Sequence, residues 1–270
     1  MSWERKQILI TVRTYPVPSR KDVEVSCTAG VTAEGDWIRL FPIAYRFLDD
    51  EKQFTKYDWI EANVMRAPND ARLESHRIDR DSIKTLGHVG TGTARDWAER
   101  RRLLGEQTAH CMCCLQRSRD ATGAPTLGLI KPLEIIGFEI VAEDSANWTG
   151  EELDKLTQYH SQGLLFGAAP TKTLEKVPFK FYYRFKCPEP DCPTHRMSCV
   201  DWELAQSYRR WSAQPGTNWR RDILQRYDTD MRTRFDTHFY VGTVHRYPNV
   251  WIIVGLFYPP PPSPQRSLEL

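Results

Sequence analysis

Residues Phe179 to Lys186 read Phe-Lys-Phe-Tyr-Tyr-Arg-Phe-Lys, with an aromatic ring at every second position. A period of two belongs to a β-strand, whose successive side chains point to opposite faces. Phe179, Phe181, Tyr183 and Phe185 therefore share one face, and Lys180, Tyr182, Arg184 and Lys186 the other. A one-residue slip would desolvate Lys180, Arg184 and Lys186, so the register is fixed. The chain has to build a sheet with one dry and one wet face.

Other segments repeat the habit. Ile8 to Val12 is a short apolar strand, while Val23 to Cys27 and Asp36 to Phe41 alternate. Thr28 to Gly35 between them reads as the turn-rich connection of a hairpin. Within Lys56 to Met65, Tyr57, Trp59 and Glu61 face one way and Ile60, Ala62 and Val64 the other. Ile135 to Val141 is another strand. Thr237 to Val244 and Val250 to Tyr258 flank His245-Arg246-Tyr247-Pro248-Asn249, a hairpin turn. Short strands with polar turns predict small barrels or sandwiches.

Between residues 68 and 125 the pattern changes. Pro68 to Arg72 is a polar loop, and Thr93 with Asp96 fits the start of a helix. Trp97, Leu104, Thr108, Cys111 and Leu115 then recur at helical spacing, predicting one helix that ends at Asp120 to Pro125. Further helices are expected over Glu151 to Leu165, Trp202 to Trp211 and Trp219 to Thr233, the last rich in arginine. Pro259 to Pro262 and the tail beyond read as extended or disordered.

Charge and hydropathy narrow the partners. Lys and Arg number 37 against 35 acids, a net charge of +2, so a nucleic-acid site must be a local patch. Hydrophobic residues at 40% exclude a wholly disordered chain. The longest apolar run, Val250 to Tyr258, spans nine residues, where a bilayer helix needs about twenty. Ile8 to Val12 is too short for the core of a secretory signal. The expectation is a cytoplasmic protein with no membrane partner.

The sharpest chemistry is Cys187-Pro-Glu-Pro-Asp-Cys192-Pro-Thr-His195-Arg-Met-Ser-Cys199. Three cysteines and a histidine form an accepted tetrahedral zinc set. Pro188, Pro190 and Pro193 stiffen the loops and reduce the entropy lost when ligands converge. With every position filled by protein, the expected Zn²⁺ is structural. The competing reading buries the cysteines as small hydrophobes. In His110-Cys111-Met112-Cys113-Cys114, residues on one helix point apart, so the set cannot converge on one ion. Cys111 is expected in the core, with a reactive thiol at Cys113 as the alternative.

Asp201, Glu203 and Asp236 could hold Mg²⁺ for phosphodiester hydrolysis. Equally, Asp201 could cap the helix that follows, with Glu203 complementing its dipole. Asp70 and Glu74, around Arg72, are open to the same two readings, and loop acids of this kind are most often solvated. No phosphate-loop, H-E-x-x-H, G-x-S-x-G or zinc-deaminase pattern occurs. His88 to Thr93 lacks the third glycine of a phosphate cradle. Lys180, Tyr182, Arg184 and Lys186, and the Arg/Trp run from Arg209 to Arg226, interleave cations with rings as single-strand binding surfaces do.

Ser19-Arg20-Lys21, Cys27-Thr28-Ala29-Gly30-Val31 and Trp37-Ile38-Arg39-Leu40 resemble the opening of bacterial dual OB-fold-containing domains. Leu40 stands where that pattern has proline. Phe181 to Glu203 resembles a group of uncharacterised bacterial proteins. The resemblance implies two small barrels and an association with mobile-element or antiviral defence loci, and it supplies no catalytic residues. The expected nucleic-acid-binding set is Lys180, Tyr182, Arg184, Lys186, Arg20 and Arg39.

The expected architecture is α+β, with two OB-like β-barrels over 1–67 and 126–262. A helical insertion over 68–125 joins them, zinc staples the second, and 263–270 form a tail. The expected function is binding of nucleic acid, single strands favoured, as a sensor or accessory component of prokaryotic defence. The alternatives are a metal-dependent nuclease using Asp201, Glu203 and Asp236, and an interaction module whose tryptophans meet a protein partner.

Overall fold

The computed structural model describes residues 2–105, 108–109, 111–162 and 173–262. His110, the end of the helix expected to reach Leu165, and the tail lie outside them. In chain order come β1 (Glu4–Arg13), β2 (Val17–Ser19), β3 (Val23–Thr32), β4 (Trp37–Ile43), β5 (Asp58–Arg66), β6 (Ser75–Ile78) and β7 (Lys84–His88). Next are α1 (Ala98–Gly105), β8 (Thr108–Ala109), α2 (Met112–Thr122), β9 (Leu127–Ile130), β10 (Glu134–Ala142) and α3 (Gly150–Gln162). Then follow β11 (Phe179–Lys186), β12 (His195–Cys199), α4 (Trp202–Ser212), α5 (Trp219–Leu224), α6 (Asp230–Thr233), β13 (His238–Thr243) and β14 (Trp251–Phe257). A π-helical turn, Gln225–Thr229, joins α5 to α6. The fold is α+β, and among the described residues no helix is long and apolar enough to cross a membrane.

The chain divides into two units, Met1–His88 with Val141–Lys180, and Val89–Ile140 with Phe181–Leu270. In the first, β1, β3, β4, β6 and β5 pair in that order and β5 returns to β1, closing a five-stranded barrel. Every pairing is antiparallel except β4 with β6. Counting barrel strands along the chain, the order is first, second, third, fifth, fourth and back to the first, the Greek-key closure of an OB barrel. Closure leaves few unpaired backbone groups, and inward side chains fill the lumen. Ile8, Ile10, Ile38, Leu40, Ile60 and Val64 do so here. At the Ile10–Gly30 pair the strands approach so closely that a Cβ on Gly30 would sit 2.2 Å from the Leu9 carbonyl oxygen. α3 packs on β2 and β3.

The second sheet runs β10-β11-β12-β14-β13-β9-β8, with β12 parallel to β14. β9 and β10 are separated only by residues 131–133, so together they act as one interrupted first strand, and the cyclic order repeats that of the first unit. The core is aromatic. Phe181, Tyr183 and Phe185 are buried as their alternation requires, while Phe179 at the start of the strand is only half-buried. The Tyr183 hydroxyl donates to the Tyr227 carbonyl at 2.7 Å.

Three expectations need correction. Thr28–Thr32 is strand, not turn, because Gly30 and its small neighbours let β3 continue against β1; the reversal is confined to Ala33–Gly35, with Gly35 at φ 91°. The segment 68–125 is not wholly helical, since β6 and β7 join the first sheet. The single helix expected from Thr93 is two, α1 and α2, with β8 between them. Leu104, Cys111 and Leu115 are all buried as the stripe implies, but on separate elements. Cys111 is fully extended (φ −165°, ψ 164°), which ends any continuous helix there.

Candidate functional site

α2 starts where it does because Cys111 caps it. The Cys111 Sγ accepts the Cys114 N–H at 3.0 Å, the role usually filled by a serine or aspartate oxygen. On the first turn, neighbouring side chains diverge by about 100°. Met112 enters the core, and Cys113 faces the loop between β11 and β12.

That loop brings the other donors. Cys113 Sγ lies 3.5 Å from Cys192 Sγ and 3.3 Å from His195 Nε2, and Cys192 Sγ lies 3.3 Å from the same nitrogen. With Cys187 Sγ, all four donor atoms fall within 4.8 Å of one another. The Met112 N–H donates to Cys187 Sγ and the Cys187 N–H to Cys192 Sγ, each at 3.2 Å. Amide donors on sulfur favour its anionic form.

Electrostatics suits a cation. Burial, a hydrogen bond with Cys192 and the neighbouring thiols push the Cys113 thiol up to about 12. Burial also raises Cys187, against amide hydrogen bonds from Met112 and Cys113. Burial lowers His195, which favours the neutral imidazole form that binds a metal. A tetrahedral ion with metal–sulfur bonds of about 2.3 Å and metal–nitrogen bonds of about 2.0 Å sets its donors roughly 3.5–3.8 Å apart. The separations are close to that, and the cluster could hold a metal ion.

Residues 107–270 match the family model described as Domain of unknown function (DUF8757), and residues 4–106 match Domain of unknown function (DUF8758). The chain belongs to the DUF8757 family. No curated protein matches it.

All four donors lie in the DUF8757 region. Cys199, expected as the fourth ligand, does not join them; Cys113 takes its place. The reason is the strand: His195 and Cys199 are the two ends of β12, and four residues of extended chain span about 13 Å. Cys199 is instead buried in the sheet, opposite Phe181 and beside Ile253. The run Cys111-Met112-Cys113-Cys114 carries a partial signal, since an i, i+3 pair leaves the third thiol on another face, but nothing local ties that face to the β11–β12 loop. Cys111 and Cys114 turn towards Glu189 instead.

The proposed acidic trio is dispersed among structural tasks. Asp201 caps α4 by accepting the Leu204 N–H at 3.0 Å, and its other oxygen accepts the Leu256 N–H at 3.2 Å. Glu203 accepts from the Tyr258 hydroxyl at 3.3 Å. Asp236 is paired with Arg101 and Lys131, each at 2.6 Å. None of the three belongs to a metal-ready group among the described residues. Asp70 is not solvated either. It grips Arg72 through paired hydrogen bonds of 2.9 and 2.6 Å.

On β11, Lys180, Arg184 and Lys186 are exposed and Tyr182 is half-buried, as the alternation requires. Lys180 pairs with Glu143 at 3.3 Å. β12 adds Arg196 directly opposite Arg184. Its guanidinium lies 3.7 Å over the Tyr182 ring, and it binds Glu139 at 2.9 Å, with Arg184 at 4.0 Å from the same carboxylate. Sequence reading missed Arg196 because β12 is short and polar. Arg20 is exposed beside Glu151. Arg39 departs from the expectation: it is only 3% exposed and held by Glu74 at 3.3 Å, so it is no surface contact for phosphate.

Proposed function

We propose that the chain binds single-stranded nucleic acid on the outer face of β11 and β12, and that Zn²⁺ at Cys113, Cys187, Cys192 and His195 fixes the loop joining these strands. The observation that carries the reading is the grouping of Tyr182, Arg184, Lys186 and Arg196 on the second and third barrel strands. In OB barrels, that pair of strands is the surface on which oligonucleotides lie. A guanidinium over an aromatic ring is a ready platform for an unpaired base, and the flanking cations suit phosphates. Glu139 offsets the repulsion between Arg184 and Arg196 until a phosphate competes for them.

Zinc is the metal of choice because three thiolates and an imidazole at tetrahedral spacing are a structural zinc set. With four protein donors, its task is to cross-link α2 to the β11–β12 loop. Titrating labelled single-stranded oligonucleotides at several salt concentrations tests the function. Binding should weaken as salt rises. Lack of binding at low salt would dispose of the proposal.

A further inference from the structure

We infer that Cys111 and Cys114 are a reversible dithiol–disulfide pair, distinct from the metal centre beside them. The sulfurs are 2.6 Å apart. That is well inside the roughly 3.8 Å separating two thiolates on one zinc ion. The C-x-x-C spacing over the first turn of a helix lets the two sulfurs meet with the backbone already in place.

The surroundings favour disulfide chemistry over a second metal. Glu189 Oε2 lies 3.7 Å from Cys111 Sγ and 3.6 Å from Cys114 Sγ, the only further donor in this group among the described residues. Arg117 already supplies a cation there, donating to Glu189 Oε1 at 2.9 Å and to Cys114 Sγ at 3.6 Å. A metal ion would have to displace it or bear its repulsion. Access is asymmetric: Cys111 is 1% exposed, while Cys114 is only half-buried.

The step balances with a low-molecular-weight disulfide as oxidant. Cys114 Sγ, its proton passing to Glu189 or to solvent, attacks one sulfur of that disulfide, breaking its S–S bond and releasing one thiolate. Cys111 then attacks Cys114 Sγ in the mixed disulfide, forming the Cys111–Cys114 bond and releasing the second thiolate. Two electrons pass to the oxidant, and the two protons go to the released thiolates or to solvent, with Glu189 the nearest acceptor.

The test uses the full chain, equilibrated in glutathione buffers from fully reduced to fully oxidised, quenched in acid, alkylated and mapped by mass spectrometry. The expected result is an internal Cys111–Cys114 link in the oxidised buffers, reversed by dithiothreitol, with metal content unchanged. Cys114→Ser should abolish the link. Cys111→Ser should do so too while keeping an oxygen to cap α2. Alkylation of both thiols in every buffer would overturn the inference. So would a second equivalent of metal that Cys111→Ser removes.

Discussion

Cys113 Sγ lies 3.3 Å from His195 Nε2, although 82 residues separate them in the chain. A metal held between them would tie the first turn of α2 to the start of β12, so its binding energy would also be folding energy. Cys113→Ser should therefore lose the metal and much of the chain's stability. Cys199→Ala should keep about one equivalent, because Cys199 is buried in the sheet and is not among the four clustered donors. Metal analysis of the two purified variants, with wild type alongside, reads the difference. Full metal content in Cys113→Ser would remove Cys113 from the ligand set.

In the first unit, Asp70 and Arg72 give a pH dependence of definite sign. Burial alone would raise the Asp70 carboxyl. Hydrogen bonds from the Arg72 side chain and backbone, with the Arg72 charge, hold it well below the usual carboxylate range. A carboxyl lowered on folding stabilises above its unfolded value and loses that contribution as pH falls through the folded one. Asp70→Asn should lower stability near pH 7 by about 1.5–3 kcal/mol. The gap from wild type should narrow once pH falls below about 4. Urea unfolding at a series of pH values measures it, and a pH-independent gap would show that the ion pair is not its source.

Gly30 provides a sterically decided prediction. A Cβ there would meet the Leu9 carbonyl oxygen at 2.2 Å and Ile8 Cγ2 at 2.8 Å. Backbone paired on both sides cannot move aside. Gly30→Ala should destabilise the chain by at least about 2 kcal/mol. At Gly137 a Cβ meets nothing within 4 Å, so Gly137→Ala should stay within about 0.5 kcal/mol of wild type. Thermal or urea unfolding of the pair would expose an error if the two variants behaved alike.

Local pattern carried the reading as far as local pattern decides structure. β11, α4 and the final hairpin are strongly periodic, and charge burial or a capping aspartate fixes their register and ends. β6 was hidden because Ser75-His76-Arg77-Ile78 has no apolar alternation; its strand state comes from filling the gap between β4 and β5. The helix break at Cys111 was hidden for a related reason, since residues on two short helices can keep an apparent common stripe. Cys187, Cys192 and His195 share a proline-stiffened loop and were legible by spacing. Cys113 reaches them only through the sheet that carries α2. Asp201 caps α4 through its Leu204 donor, and its second amide donor, Leu256 on β14, is a contact no local pattern shows.

The β11–β12 face makes the functional prediction quantitative. Each phosphate neutralised by a side chain releases counterions, so Arg184→Ala with Lys186→Ala should flatten the slope of log affinity against log salt by about 1.4 for single strands. Tyr182→Ala should instead cost about 1–3 kcal/mol with little change of slope, because stacking releases no counterions. Glu139→Gln acts in the opposite sense. It frees Arg196, now bound at 2.9 Å, and Arg184 at 4.0 Å, so affinity should rise and the slope steepen. Surface charge elsewhere could mimic the loss seen in the double variant, but it could not produce a gain from Glu139. Fluorescence anisotropy with a labelled oligonucleotide at four or so salt concentrations separates the cases. Unchanged binding in Glu139→Gln together with an unchanged slope in the double variant would place any nucleic-acid contact elsewhere on the molecule.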